Sequence, residues 1–159
     1  MRYNKTMRIL GLAAWVASSV GLATLSPALA VDTPTTRDAP DLTAVRAKIK
    51  AKDFKAAILD LNVMIEQGVQ HADVYNLLGF SLRKSGDLKT AYTFYKKALD
   101  FDPEHKGALE YLGELYVQTG ELAKARENVV LLQKLCPQGC EELEDLQKAL
   151  AQAGTPKTN

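Results

Sequence analysis

Cys136 and Cys140 stand in the stretch CPQGC and are the only two cysteines in the chain. A thiol pair offers two chemistries, a structural disulfide or a dithiol that cycles between reduced and oxidised forms. Four residues across a proline-glycine turn bring the Cα atoms into the range of about 4.4–6.8 Å that a disulfide needs. The closed loop is tiny, so its entropic effect is about 2 kcal/mol. Redox dithiols favour a two-residue spacer beside a strand–helix unit, and neither is found here. The pair reads as a staple, with thiol redox as the weaker alternative. His71 and His105, the only histidines, lie 34 residues apart. Adjacent helices are separated by about 8–10 Å, too far for two such side chains to share a zinc ion at about 2 Å each. Both read as loop residues. No serine–histidine–acid triad can be assembled and no glycine-rich phosphate loop is present, so the sequence argues against an enzyme and calls for no metal or cofactor.

The first 30 residues explain why a disulfide is expected at all. Arg2, Lys5 and Arg8 precede an apolar run from Ile9 to Ala23, and SPALA follows, ending at Ala30. A basic head, a short apolar middle and a small-x-small end predict a secretory signal peptide over residues 1–30. The run is short for a membrane span of about 20 strongly apolar residues, so cleavage is expected in place of anchoring. Export predicts a periplasmic or secreted protein in an oxidising compartment, where paired cysteines oxidise. It also removes Trp15, the only tryptophan. Of the 20 basic side chains three lie in this leader, leaving 17 against 19 acidic ones. A slightly acidic chain without a clustered basic face excludes an electrostatic nucleic-acid binder.

Residues 31–40, VDTPTTRDAP, predict a flexible linker, and residues 154–159 a flexible tail. Between them the apolar periodicity is helical throughout, without strand-like alternation. The chain also matches itself at a shift of 34 residues. YNLLGFSLRKSGDLKTAYTFYKKALDFDP, from Tyr75, falls on LEYLGELYVQTGELAKARENVVLLQKLCP, from Leu109. Leu78-Gly79 meets Leu112-Gly113, Gly86-Asp87-Leu88 meets Gly120-Glu121-Leu122, Ala91 meets Ala125, and Pro103 meets Pro137. A further shift towards the N-terminus keeps apolar Ala44, Phe54, Ala57, Leu61 and Met64, while Val45, Lys52 and Val69 replace the two glycines and the proline.

Helices are expected near 41–51, 54–67, 72–85, 88–101, 106–119, 122–135 and 140–152. Glycine in mid-helix costs about 1 kcal/mol against alanine, so Gly79 and Gly113 predict close helix packing, with Ala91 and Ala125 as the matching small residues. Gly86 and Gly120 predict left-handed helix ends. Asp87 and Asp53 predict N-caps, and Pro103 and Pro137 predict helix stops. Tyr75, Leu78, Leu82, Leu88, Tyr95, Ala98 and Leu99 form the expected core.

These motifs resemble the tetratricopeptide repeat family over about residues 38–153. The two-cysteine ending, LCPQGCEELEDLQKAL, is similar to that of small exported bacterial members. The resemblance implies an all-α helix-turn-helix solenoid over 41–153: a degenerate repeat (38–71), two complete ones (72–105 and 106–139) and a capping helix (140–152). It supplies no activity. It implies a concave face, lined by the first helix of each repeat, that accepts a peptide or protein partner. On this sequence that face includes Arg46, Ile49 and Lys50; then Asn76, Phe80, Arg83 and Lys84; then Glu110, Glu114, Val117 and Gln118. It is basic towards the N-terminal end and acidic towards the C-terminal end, with Phe80 as the central anchor, since aromatic residues are enriched in binding hot spots. Some family members clamp C-terminal carboxylates with lysines, but Leu42 and Gly107 stand where two of those lysines are expected. No membrane contact is expected after cleavage, and self-association of the open ends of the stack is the second partner class.

Overall fold

The structure is a computed structural model that describes residues 39–154. The leader, its cleavage site, residues 31–38 and the tail from 155 lie outside the described residues. Seven helices follow one another: α1 (Thr43–Lys50), α2 (Phe54–Glu66), α3 (Ala72–Lys84), α4 (Leu88–Phe101), α5 (Lys106–Thr119), α6 (Leu122–Leu135) and α7 (Glu141–Gly154). There is no strand among the described residues. The expected helices are all present; α1 begins two residues late and α7 continues through Gly154.

The local chemistry sets the helix ends. Asp53 and Asp87 cap α2 and α4 by accepting the N–H groups of Ala56 and Thr90, each at 3.1 Å. Accepting from Thr90 also holds the Asp87 carboxyl below its ordinary value. α4 and α6 end two residues before Pro103 and Pro137. Gly86 and Gly120 take the left-handed conformation, with φ of +92° and +82°. In the degenerate repeat Lys52 makes the same turn at φ +60°, so the geometry of the turn outlives the glycine that normally makes it easy.

Packing is sequential. Leu42, Val45, Ala57, Leu61, Val74, Leu77 and Leu78 form an N-terminal cluster. Ala91, Tyr95, Leu112, Leu115, Tyr116 and Ala125 form a central one, and Leu109, Leu132, Leu143 and Leu146 close the C-terminal end. Each hairpin hands its apolar face to the next, as in a stacked array. Tyr75, Leu78, Tyr95 and Ala98 are fully buried as expected, while Leu82, Leu88 and Leu99 are only partly so. α3 packs on α5 and α5 on α7, whereas α4 and α6 make no comparable contact. A stack whose odd-numbered helices touch more closely than its even-numbered ones curves towards the odd row, which makes α1, α3, α5 and α7 the inner wall.

The two mid-helix glycines do different work. A Cβ at Gly79 would stand 2.7 Å from the Tyr95 ring and 3.2 Å from the Ala91 carbonyl oxygen. Gly79 thus admits α4 at the expected site, with the tyrosine ring as the main neighbour. A Cβ at Gly113 would stand 2.5 Å from Leu146 of α7. The expected partner, Ala125, is buried in the central cluster, but the atoms that occupy the Gly113 notch belong to the last helix. Repeat symmetry predicts a hairpin partner there. Instead α7 packs on α5, and its Leu146 supplies the atoms nearest the notch.

Candidate functional site

The inner wall carries two adjoining depressions. The larger, about 640 Å³, is bordered by Gln70 to Asp73, by Phe101, Asp102, Glu104 to Gly107, and by Glu142. The smaller, about 260 Å³, is more enclosed and is bordered by Arg46 of α1, Asp73 of α3, His105, Gly107, Glu110 and Tyr111 around the start of α5, and Glu141, Glu142 and Asp145 of α7. Asp73, His105, Gly107 and Glu142 border both.

Asp73 organises the junction. Its backbone N–H donates to His71 Nδ1 at 3.2 Å, which caps α3. Its carboxylate meets His105 Nε2 at 3.1 Å and the Arg46 guanidinium at 3.6 Å. His105 Nδ1 in turn accepts the Ala108 N–H at 3.0 Å and caps α5. The cap fixes the tautomer: with Nδ1 accepting, neutral His105 carries its proton on Nε2 and donates it to Asp73. Both histidines, expected as loop residues, are therefore helix caps that meet one aspartate, His71 at its backbone N–H and His105 at its carboxylate. The 34-residue spacing held the clue, since equivalent positions in stacked repeats face the same way.

The sequence-predicted groove residues separate into three groups. Arg46, Lys50 and Lys84 are exposed at the N-terminal half of the wall. Phe80 is half-buried between Phe54 and Tyr111, with ring centroids 6.3 and 4.8 Å away, and the Lys84 ammonium lies 5.2 Å from its centroid. Arg83 turns inward: it is buried, its Nε donates to the Tyr95 hydroxyl at 3.2 Å, and its Nη2 pairs with Glu114. That arginine ties α3 to α4 and α5, so neither it nor Glu114 stands free on the wall.

Asn76 and Glu110 form the third group. They occupy the same position in successive repeats, three residues before Gly79 and Gly113, and are 4% and 7% exposed. Asn76 Oδ1 has no hydrogen-bond partner among the described residues. Burial pushes the Glu110 carboxyl up to about 8; Glu114, Asp145 and Glu142 push the same way, and Arg83 opposes them. Burial, then Glu110 and Glu114, pushes the Tyr111 phenol up to about 12. The acidic end of the wall is thus extended by α7, whose Glu141, Glu142 and Asp145 escaped the sequence reading. Their signal was the acidic run CEELED at the start of the last helix.

Cys136 and Cys140 stand at disulfide distance, with Cα atoms 6.0 Å apart, where α6 hands over to α7. Among the described residues no helix is long and apolar enough to cross a membrane.

Comparisons with known proteins agree with this architecture. Residues 82–153 match a family model described as tetratricopeptide repeat. An uncharacterized protein, ycf37, of Pyropia yezoensis is 35% identical over 81 residues, which are 51% of this chain and 43% of that protein. The BBSome complex member BBS4 of Bos taurus is 39% identical over 80 residues, 50% of this chain and 14% of that one. Cellulose synthase 2 operon protein C of Komagataeibacter xylinus is 31% identical over 96 residues, 60% of this chain and 7% of that one. The chain thus spans less than half the length of each of these relatives. Residues 82–153 thus match tetratricopeptide repeats, and the helical hairpins and the 34-residue register carry the same architecture across the described residues.

Proposed function

We propose that this chain is an exported, non-catalytic docking module that holds a peptide or protein segment against its inner wall in the bacterial cell envelope. One observation carries the reading: the exposed Lys84 ammonium lies 5.2 Å from the half-buried Phe80 ring, Phe80 packs at 4.8 Å on Tyr111, and Tyr111 borders a depression lined by Asp73, Glu110, Glu141, Glu142 and Asp145. Such a surface orients a segment of opposite charge order, since charge complementarity governs register and encounter more than raw affinity. Phe80 supplies the apolar anchor. That one relative is named as a complex member is consistent with this class of role.

A photo-crosslinking residue at position 80 tests the proposal, with position 96 on α4 as the outward control. Capture in the envelope of the same neighbours from both positions would overturn it. A distinct neighbour at position 80, lost on charge reversal of Arg46 and Lys84, is the expected result.

A second reading rests on apolar side chains of the even-numbered helices. Leu59 and Val63, one turn apart on α2, are 59% and 48% exposed, and Val130 and Leu131 of α6 are also exposed. These would support self-association. Sedimentation velocity decides: a mass that rises with concentration and falls on Leu59→Lys favours it.

A further inference from the structure

Glu110 is the one buried acidic side chain among the described residues. It is 7% exposed, and among the described residues no donor or cation pairs with its carboxylate. A buried carboxylate is normally paired or hydrogen-bonded, because desolvating it alone is unfavourable. Its neighbours make matters worse. The 260 Å³ depression it borders is also bordered by Asp73, Glu141, Glu142 and Asp145, with Arg46 as the one guanidinium, already beside Asp73. At the equivalent position one repeat earlier, Asn76 Oδ1 is buried without a partner among the described residues, although Asn76 does not border the opening. Arg83, the nearest buried cation on α3, is committed to Tyr95 and Glu114. The opening is therefore bordered by five carboxyl groups, of which Glu110 alone is buried, and by one guanidinium.

We propose that this depression receives an arginine side chain of the docked segment, whose guanidinium pairs with Glu110. The inference rests on the docking reading above and names the chemistry of the partner. Arginine suits the site better than lysine on three counts. Its planar fork meets a carboxylate with two parallel hydrogen bonds, it is the more weakly hydrated cation, and it stacks on aromatic faces such as Tyr111, which borders the same opening. The charge order also fits. Segment residues over Lys50 and Lys84 would be acidic, and the arginine would fall towards α7.

The proposal makes a linked prediction about protons. The carboxyl that pairs with a guanidinium must be ionised, whereas burial with Glu114, Asp145 and Glu142 holds free Glu110 protonated until about pH 8. Binding at neutral pH therefore expels a proton, and affinity rises with pH until about 8 and then levels. Arg46, Asp73 and His105 also face the opening, so Glu110→Gln is needed to assign the effect.

The experiment is a backbone NMR titration of the full chain with a blocked eight-residue peptide of alanine and leucine carrying one arginine. The matched peptide carries citrulline, the neutral isostere. Saturable shifts at Gly107, Glu110 and Glu142 are expected, with arginine binding about tenfold or more tighter than citrulline, as befits a charge-assisted pair. Glu110→Gln should erase that preference. Asp145→Asn, on the exposed rim, should reduce it and serves as the second variant. Equal affinity for both peptides, an arginine preference that survives Glu110→Gln, or no shift at these residues overturns the proposal. If both peptides bind equally and Phe80→Ala weakens both, the docking wall stands and only the arginine pocket fails.

Discussion

Arg83 and Glu110 sit on α3 and α5 and are buried to a similar degree, yet the fold treats the two ionisable groups in opposite ways, keeping the guanidinium charged and paired and the carboxyl protonated until about pH 8. Arg83 lies between the Tyr95 hydroxyl and the Glu114 carboxylate, with the Phe80 and Tyr111 rings 5.7 and 5.9 Å from its guanidinium carbon. Its charge is used up inside the fold. Glu110, one turn from Glu114, borders a cavity and has no such partners among the described residues. The lesson concerns how to read charge on a concave wall. A buried, saturated charge is architecture, whereas a buried, unsaturated one marks a place where the fold tolerates a local penalty. Substitutions at the two positions should therefore move stability in opposite directions.

The largest effect is expected at Arg83. Arg83→Met leaves the Tyr95 hydroxyl without its donor and Glu114 without its cation, and breaking a buried pair on one side costs about 3 kcal/mol or somewhat more. Chemical denaturation should show it as a lower midpoint. A neutral result would mean that Arg83 is no strut and belongs with the free cations of the wall.

Glu110→Gln should do the reverse and raise stability at neutral pH, because the amide has no charge that folding must neutralise. The pH dependence gives the sharper measurement. The folded protein keeps a proton on Glu110 up to about pH 8, whereas the unfolded chain releases it near the ordinary carboxylate value of about 4.3. Between those limits the folded state binds more protons, so raising the pH favours unfolding. The wild-type melting temperature, measured against Glu110→Gln, should fall from about pH 4.5 to about pH 8 and run parallel above it. Parallel curves over the whole range would show that the carboxyl is solvated and the contrast with Arg83 empty.

This contrast was only half legible in the sequence. The 34-residue register placed Arg83 and Glu110 on the inner wall, because periodicity fixes which face of a helix a residue occupies. It could not give depth. Arg83 turns inward because Tyr95 and Glu114 wait for it, a contact spanning three helices that no spacing rule encodes. Gly79 was read correctly as a packing notch, since its neighbours on α4 belong to the same hairpin. At Gly113, Ala125 is buried beside the flanking leucines as expected, but the atoms nearest the notch belong to Leu146 of α7, which the 34-residue register does not predict. The polar pair Asn76 and Glu110, at one register position in two repeats, was visible from the start. That neither side chain finds a partner emerges only from packing.

Gly79 offers a smaller test that is coupled to Arg83. Its missing Cβ leaves room for the Tyr95 ring, the same tyrosine whose hydroxyl accepts from Arg83. Overpacking costs about 1–3 kcal/mol, and the helix propensity regained from alanine offsets about 1 of this. Gly79→Ala should thus destabilise by about 1 kcal/mol net. In an Arg83→Met background, where Tyr95 is released to move, the penalty should shrink. A double-mutant cycle measures the difference, and strict additivity would separate the notch from the strut.

Lys52 supplies the smallest effect and the control that the comparison needs. A local penalty can mark a site, as argued for Glu110, or record nothing more than repeat degeneracy. Lys52 is of the second kind. It holds a left-handed conformation at φ +60° where the complete repeats have glycine, and its side chain is exposed. A non-glycine residue there is strained by about 1–2 kcal/mol, and the greater freedom of glycine in the unfolded chain returns part of that. Lys52→Gly should therefore raise stability by about 0.5 kcal/mol and leave arginine-peptide binding unchanged. Glu110→Gln should raise stability while erasing the arginine preference. If the two variants behave alike in the binding assay, then unsatisfied burial at Glu110 is drift of the same kind as the turn at Lys52, and the distinction between architectural and available charge does not hold on this wall.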